Sequence, residues 1–152
     1  MTDITKLKSK FPDAVLNVEE ALGEVTVTLK REDLLAAGAF LRDDPDYSFR
    51  FLVDVTAVDY KDKTPRFVAV YHLLSHEHNQ RLRLKVPLDG DNPEIESVTG
   101  IWPTANWHER EAYDLMGINF LNHPDLRHIL LPDHWDCHPL RKDYPLEGRG
   151  EQ

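Results

Sequence analysis

Carboxylates that could perform acid–base chemistry concentrate on one predicted helix, Asn106–Met116. Glu109, Glu111 and Asp114 all lie on it, and a general acid and base must approach the same substrate atoms. On a helical wheel, however, Glu109 and Asp114 point to different sides. Paired acid–base catalysis therefore does not follow from this spacing.

Histidines in the last third of the chain could bind a metal, since zinc accepts imidazole and thiolate ligands. The candidates are His108, His123, His128, His134 and His138, with Cys137. Their spacing lacks the paired arrangement of known structural zinc sites, so a small independent metalloenzyme is a remote alternative. The run Asp136-Cys137-His138 does not define a thiol nucleophile, because neighbouring residues of an extended chain point in different directions.

Composition excludes several other classes of protein. The 152 residues carry a formal net charge of −9, which opposes nucleic-acid binding, and a single cysteine excludes a disulfide framework or an iron–sulfur cluster held by this chain alone. Neither a phosphate-binding glycine loop nor a signal peptide is recognisable. No apolar run approaches the roughly twenty residues of a membrane span, and we expect the chain to stay in the cytosol.

Hydrophobic periodicity predicts an α+β domain with one mixed sheet of about five strands and helices packed on it. Helices are expected at 6–10 and 32–42, and strands at 14–18 and 25–29. Strands at 49–58, 66–74 and 81–86 are separated by short polar turns, which predicts an antiparallel meander. In the first of these, Phe49, Phe51, Val53, Val55 and Ala57 are expected on one face.

The predicted helix at 106–116 is polar on an unusual share of its surface. Asn106 and Glu109 fit a capping box, and Gly117 fits the residue that ends the helix. Arg110 and Asp114, four residues apart, lie opposite the apolar arc, and Trp107 shares that charged side. One interpretation is a surface ion pair; the other is that this domain covers one face and a partner covers the other.

Residues 118–152 differ in character from the compact part, 1–117. They contain four prolines and no sustained periodicity, although apolar and aromatic side chains argue against disorder. We predict an extended, proline-rich C-terminal arm that wraps a partner protein.

The chain resembles the 30-kDa subunit family of NADH-quinone oxidoreductase (respiratory complex I), whose bacterial members are the C-type subunits of that enzyme. The family signature runs from Glu-Arg-Glu through an acidic residue and two apolar residues to a distant His, a basic residue and an aliphatic pair. The matching positions here are Glu109, Arg110, Glu111, Asp114, Leu115, Met116, His123, Arg127, Ile129 and Leu130. The ending also resembles the family's: His138, Pro139, Leu140, Arg141, Lys142, Asp143, Tyr144 and Pro145.

The resemblance implies a non-catalytic assembly subunit of the hydrophilic arm, next to the D-type subunit, which lines the quinone cavity. Members carry no cofactor; FMN and Fe–S clusters belong to partner subunits, which pass electrons from NADH to quinone while protons are translocated. The expected location is peripheral, at the cytoplasmic face of the bacterial inner membrane. The signature and tail residues are then expected to serve folding and the interface.

Alternatively, the chain is the equivalent subunit of a related membrane-bound hydrogenase or ferredoxin-dependent complex. We also predict that Arg110→Ala weakens docking by stripping a buried carboxylate of its partner, at a cost of a few kcal/mol.

Overall fold

The computed structural model describes residues 1–150. Its main element is a five-stranded mixed sheet with helices packed on it. The helices are α1 (Thr5–Lys10), α2 (Leu34–Asp43, after a short 3-10 turn) and α3 (Ala105–Met116). The strands are β1 (Val15–Ala21), β2 (Glu24–Leu29), β3 (Phe51–Asp59), β4 (Phe67–Ser75), β5 (Gln80–Leu88), β6 (Glu94–Glu96) and β7 (Asn119–Leu121).

The sheet order is β1-β2-β5-β4-β3. β3, β4 and β5 form the predicted antiparallel meander, and β1 and β2 form a hairpin. The hairpin joins the meander through a parallel pairing of β2 with β5, which makes the sheet mixed. The predicted α+β fold class with about five strands is therefore confirmed.

The predicted one-face alternation of β3 is wrong because the strand contains a bulge. The register with β4 shifts between Leu52 and Asp54, so that one extra residue is accommodated there. Leu52 and Val55 are consequently buried, whereas Phe51 is 43% exposed. Simple period-two reading fails at this point since a bulge reverses which side chains face the core.

A second, two-stranded sheet pairs β6 with β7 in parallel. The central residue of each strand, Ile95 and Phe120, is buried in the core. β7 lies within the segment that sequence assigned to the arm, so the first residues of that segment pack with the compact part. Residues 151–152 of the predicted arm lie outside the described residues.

The core lies between the sheet and the helices. Among its largest fully buried side chains are Tyr71 and Phe67 of β4, Phe49 and Phe120. The Trp102 indole donates to the Phe49 carbonyl at 3.0 Å, which ties the segment before α3 to the start of β3. Within residues 1–150, no helix is both long and apolar enough to cross a bilayer.

Candidate interface on helix α3 and the C-terminal segment

Helix α3 carries the first part of the family signature, and the residues at its two ends determine where it begins and ends. Gly117 ends the helix at φ +73°, a conformation that favours glycine, as predicted. The predicted capping box is wrong: the helix begins at Ala105, Thr104 precedes it without a side-chain cap, and Asn106 lies inside the helix. Glu109 is therefore free to make contacts elsewhere.

Glu109 is fully buried and reaches the segment after β6. Its carboxylate accepts hydrogen bonds from the Ser97 hydroxyl and the Val98 amide, both at 2.7 Å. The His123 ring lies 3.8 Å from the same carboxylate, and its Nε2 bonds the Asn106 carbonyl. Burial raises the pKa of Glu109 to about 7, against the effect of the two hydrogen bonds, which lower it.

We expect Glu109 to make stability depend on pH. A carboxyl whose folded pKa is raised stabilises the fold fully below its ordinary value of 4.5, and that stability is lost as pH rises through about 7. The loss corresponds to about 3 kcal/mol. Glu109→Gln keeps the shape without the charge, so urea unfolding should show it more stable than wild type at pH 8 and similar at pH 4.5. Glu111→Gln, on the exposed side of the helix, should keep the wild-type dependence; equal slopes in all three proteins would refute this role.

Asp114 is fully buried and organises the segment that follows β7. One carboxylate oxygen accepts three consecutive backbone amides, from Ile129 at 3.1 Å, Leu130 at 2.7 Å and Leu131 at 2.9 Å. The other oxygen contacts Nδ1 of His128. Burial acts to raise the pKa of Asp114, but His128 and the three amides outweigh it, so that the pKa is lowered.

Arg110 fixes the same segment from the other direction. Its guanidinium donates to the backbone carbonyls of Arg127 at 3.2 Å and His128 at 2.8 Å, and it lies 5.2 Å from the Trp107 ring. The Arg110–Asp114 surface ion pair, one of the two interpretations of the sequence, is thus replaced by separate contacts of each residue with segment 127–131. The reason given for Arg110→Ala is corrected accordingly: the variant would orphan two carbonyls, not a carboxylate.

The tail is anchored at the end of α3 around Gly117. Arg141 donates to the carbonyls of Met116 at 2.8 Å and Gly117 at 3.4 Å, and its guanidinium lies 4.9 Å from the Phe67 ring. His138 bonds the Asp114 carbonyl at 3.0 Å. A Cβ on residue 117 would come within 2.6 Å of the His138 ring, so glycine also provides the space that the tail occupies.

A buried ion pair holds the tail to the end of the sheet. Asp59 accepts two hydrogen bonds of 2.8 Å from the Arg66 guanidinium and one, also 2.8 Å, from the Lys142 amide. Arg66 in turn lies 3.3 Å from the Asp143 carboxylate. Sequence reasoning missed this pair; opposite charges at the two ends of the β3–β4 turn were the available signal.

Other signature and tail residues divide between core and surface. Met116 is buried, and Leu115, Ile129, Pro139 and Tyr144 are half-buried. Trp107 is 62% exposed, Leu130 61% and Leu140 56%, and we call these three side chains the apolar patch. Also exposed are Glu111, Arg127, Lys142, Asp143 and Pro145.

Three of the five histidines considered as metal ligands are engaged with different partners. His123, His128 and His138 each bond a group of α3, at Asn106, Asp114 and the Asp114 carbonyl respectively. In the part of the chain that the structure describes, no group of three or more His, Cys, Asp or Glu residues is placed to hold a metal ion.

The fold and site define an α+β domain whose charged helix is clamped by its own C-terminal segment. Residues 27–150 match the family described as respiratory-chain NADH dehydrogenase, 30 Kd subunit. The chain therefore belongs to this family, as its resemblance predicted.

Curated relatives are similar in sequence to this chain over almost its whole length. The C-type subunit of NADH-quinone oxidoreductase from Geotalea uraniireducens is 52% identical over 95% of this chain and 87% of its own length. The protein of the same name from Geobacter metallireducens is 51% identical over 98% of this chain and 91% of its own length.

Two solved structures share the fold. A trypsin-resistant fragment of Nqo5 aligns with a TM-score of 0.64 and 30% identity, covering 80% of this chain and 96% of that one. A chain of the membrane-bound sulfane sulfur reductase, an archaeal respiratory membrane complex, aligns with a TM-score of 0.81 over 94% of this chain and 84% of that one. At 20% identity, this second likeness concerns the fold alone.

Proposed function

We propose that this chain is a non-catalytic assembly subunit in the hydrophilic arm of a proton-translocating NADH-quinone oxidoreductase. Its neighbour there is the D-type subunit at the quinone site, and FMN and Fe–S clusters reside in other subunits. The complex would hold the chain at the cytoplasmic face of the bacterial inner membrane. Family membership and the names of the curated relatives support this proposal.

One observation carries the non-catalytic part of the proposal: the buried charges of the signature are used to fold the chain on itself. Glu109 bonds the segment after β6, whereas Arg110 and Asp114 bond segment 127–131. Their hydrogen bonds are made to other groups of this chain, mostly backbone amides and carbonyls, together with the Ser97 hydroxyl and the His128 ring. We infer that these three residues shape a docking surface and that they do not act on a substrate.

The exposed signature and tail residues are the ones we propose to contact the partner. The apolar patch consists of Trp107 on α3 and of Leu130 and Leu140, whose backbone amides bond Asp114 and Leu115 of the same helix. Tryptophan is one of the residue types that dominate binding energy at interfaces. Segment 118–152 would extend the contact as an arm, with the tail residues 138–145 held in place by Asp59 and by the end of α3.

The patch is tested by removing its largest members. We expect Trp107→Ser combined with Leu130→Ser to lower recovery of the assembled complex strongly, because a tryptophan that anchors an interface contributes about 2 kcal/mol or more. Since both side chains are exposed, the melting temperature of the isolated chain should change little. Recovery is measured by native electrophoresis with in-gel NADH oxidation.

Leu22→Ser is the matched control, an exposed leucine in the β1–β2 turn, and it should assemble like wild type. Normal assembly of the double variant would contradict a docking role for the patch.

A further inference from the structure

A groove of about 320 Å³ runs between β3 and α3, beside the contacts described above. On one side it is lined by four consecutive residues of β3, 54–57. Successive side chains of a strand point to opposite faces of the sheet. Four consecutive residues can therefore line one groove only where it follows the edge of the strand, where the backbone itself is within reach.

β3 is a terminal strand of the five-stranded sheet. Among the described residues, β4 is the strand that pairs with it, and its other side has no strand partner. A terminal strand presents backbone N–H and C=O groups that can pair with another extended chain. Addition of a strand to such an edge is a common way for proteins to bind extended segments.

The opposite wall of the groove is one face of α3. It consists of residues spaced i, i+3, i+4, i+7 and i+8, with Leu140 of the tail beside them: His108, Glu111, Ala112, Leu115 and Met116. Most of this wall is apolar and suits aliphatic side chains. The backbone amide of Leu140 donates to the Leu115 carbonyl at 3.0 Å, which holds the tail at the groove.

The groove carries negative charge from two carboxylates. Asp54 and Glu111 lie on opposite walls, and within residues 1–150 neither a lysine nor an arginine lines the groove. Asp54 keeps part of its carboxylate in solvent, at 42% side-chain exposure, although it also bonds His72 at 2.6 Å. A segment with basic and aliphatic residues would complement such a groove.

We propose that an extended segment of a neighbouring subunit, bearing basic and aliphatic side chains, binds in this groove by adding a strand to the free edge of β3. The proposal rests on the proposed function, because the occupant is another subunit of the same complex. Leu140 belongs both to the apolar patch and to the groove, so the two proposed contact surfaces share this residue.

Backbone hydrogen exchange tests whether a strand is added. We expect those amides of residues 54–57 that face away from β4 to exchange at least tenfold more slowly in the purified complex than in the isolated full chain, because a new partner strand would bond them. Unchanged exchange in an assembled complex would overturn this proposal while leaving the proposed function intact. If the wild-type chain fails to enter any complex, the proposed function fails as well.

A photoreactive residue identifies the occupant. With benzoylphenylalanine replacing Thr56, an exposed and uncharged residue of the groove, in the assembled complex, we expect a cross-link to a segment of another subunit that contains lysine or arginine. A cross-link to a second copy of this chain, or to an acidic segment, would overturn the proposal.

Charge reversal supplies the matched variant. Glu111→Arg should lower recovery of the complex at least tenfold at low salt, whereas Glu20→Arg, exposed on the opposite edge strand β1, should leave it unchanged. Equal recovery of the two variants would contradict an acidic docking groove.

Discussion

Asp114→Ala should lower the free energy of unfolding by about 3 kcal/mol and release segment 127–131 from α3. The variant removes the acceptor of three consecutive amides and of the His128 ring at once. Leaving buried donors without a partner costs about 1–3 kcal/mol for each group that water does not reach. Asp114→Asn should lose less, because its side-chain oxygen can still accept amide hydrogen bonds.

Urea unfolding and backbone hydrogen exchange measure the two effects. Amides of Ile129, Leu130 and Leu131 should lose protection from exchange in Asp114→Ala. Amides of β4 should lose no more protection than the drop in the global free energy of unfolding accounts for. Because the pKa of Asp114 is lowered, its stabilisation is present above the ordinary value of 3.8 and is lost as pH falls through the lowered one. The difference in stability between wild type and Asp114→Ala should therefore become smaller in acid.

Glu111→Gln, one turn away on the exposed side of α3, should change unfolding by less than about 0.5 kcal/mol. An Asp114→Ala variant as stable as this control, with unaltered exchange at 129–131, would show that the carboxylate does not hold the segment.

Asp59→Asn is the second large expected effect, at about 3 kcal/mol of unfolding free energy. Asp59 is buried and accepts paired hydrogen bonds from Arg66, so the asparagine amide would deprive a guanidinium that is only 15% exposed of its buried counter-charge. The Asp143 carboxylate, 3.3 Å away and 57% exposed, would remain beside it. The Lys142 amide would also lose a charged acceptor, which loosens the tail.

The ion pair gives this variant a recognisable pH signature. Arg66 holds the pKa of Asp59 far below its ordinary value of 3.8, against the effect of burial. The stability due to Asp59 is therefore present above that ordinary value and disappears as pH falls through the lowered one. Urea unfolding of wild type and Asp59→Asn should differ at pH 7, and the difference should shrink steadily on acidification.

Asp62→Asn, exposed in the same turn, is the control and should unfold like wild type. A pH-independent difference, or one no larger than that of the control, would contradict the ion pair's role.

Local sequence patterns predicted most elements of the sheet because alternation and turn residues are local properties. The bulge at Leu52–Asp54 was missed since it changes register without changing residue type. The β6–β7 pair was missed because each strand has three residues and the two are distant in sequence. The parallel pairing of β2 with β5 is likewise non-local, and no pattern in either strand specifies it.

The candidate site divides in the same way. The resemblance located the signature residues, and local patterns placed Gly117 at the end of α3, as observed. The partners of those residues depend on tertiary packing. Glu109 was expected to cap its own helix but accepts hydrogen bonds from Ser97 and Val98, and Asp114 binds amides 15 to 17 residues further along the chain. A helical wheel shows which face is charged, but it does not show that segment 127–131 of the same chain contacts the charged residues of that face.

Affinity purification of the tagged chain from its native host, in mild detergent and with mass spectrometry of the partners, tests the central claim most directly. We predict recovery with the D-type quinone-site subunit and with the flavin and iron–sulfur subunits of NADH-quinone oxidoreductase. A nickel-bearing subunit among the partners would assign the chain to a hydrogenase complex instead. Recovery of the chain alone, in detergent that leaves respiratory complexes intact, would contradict its role as an assembly subunit.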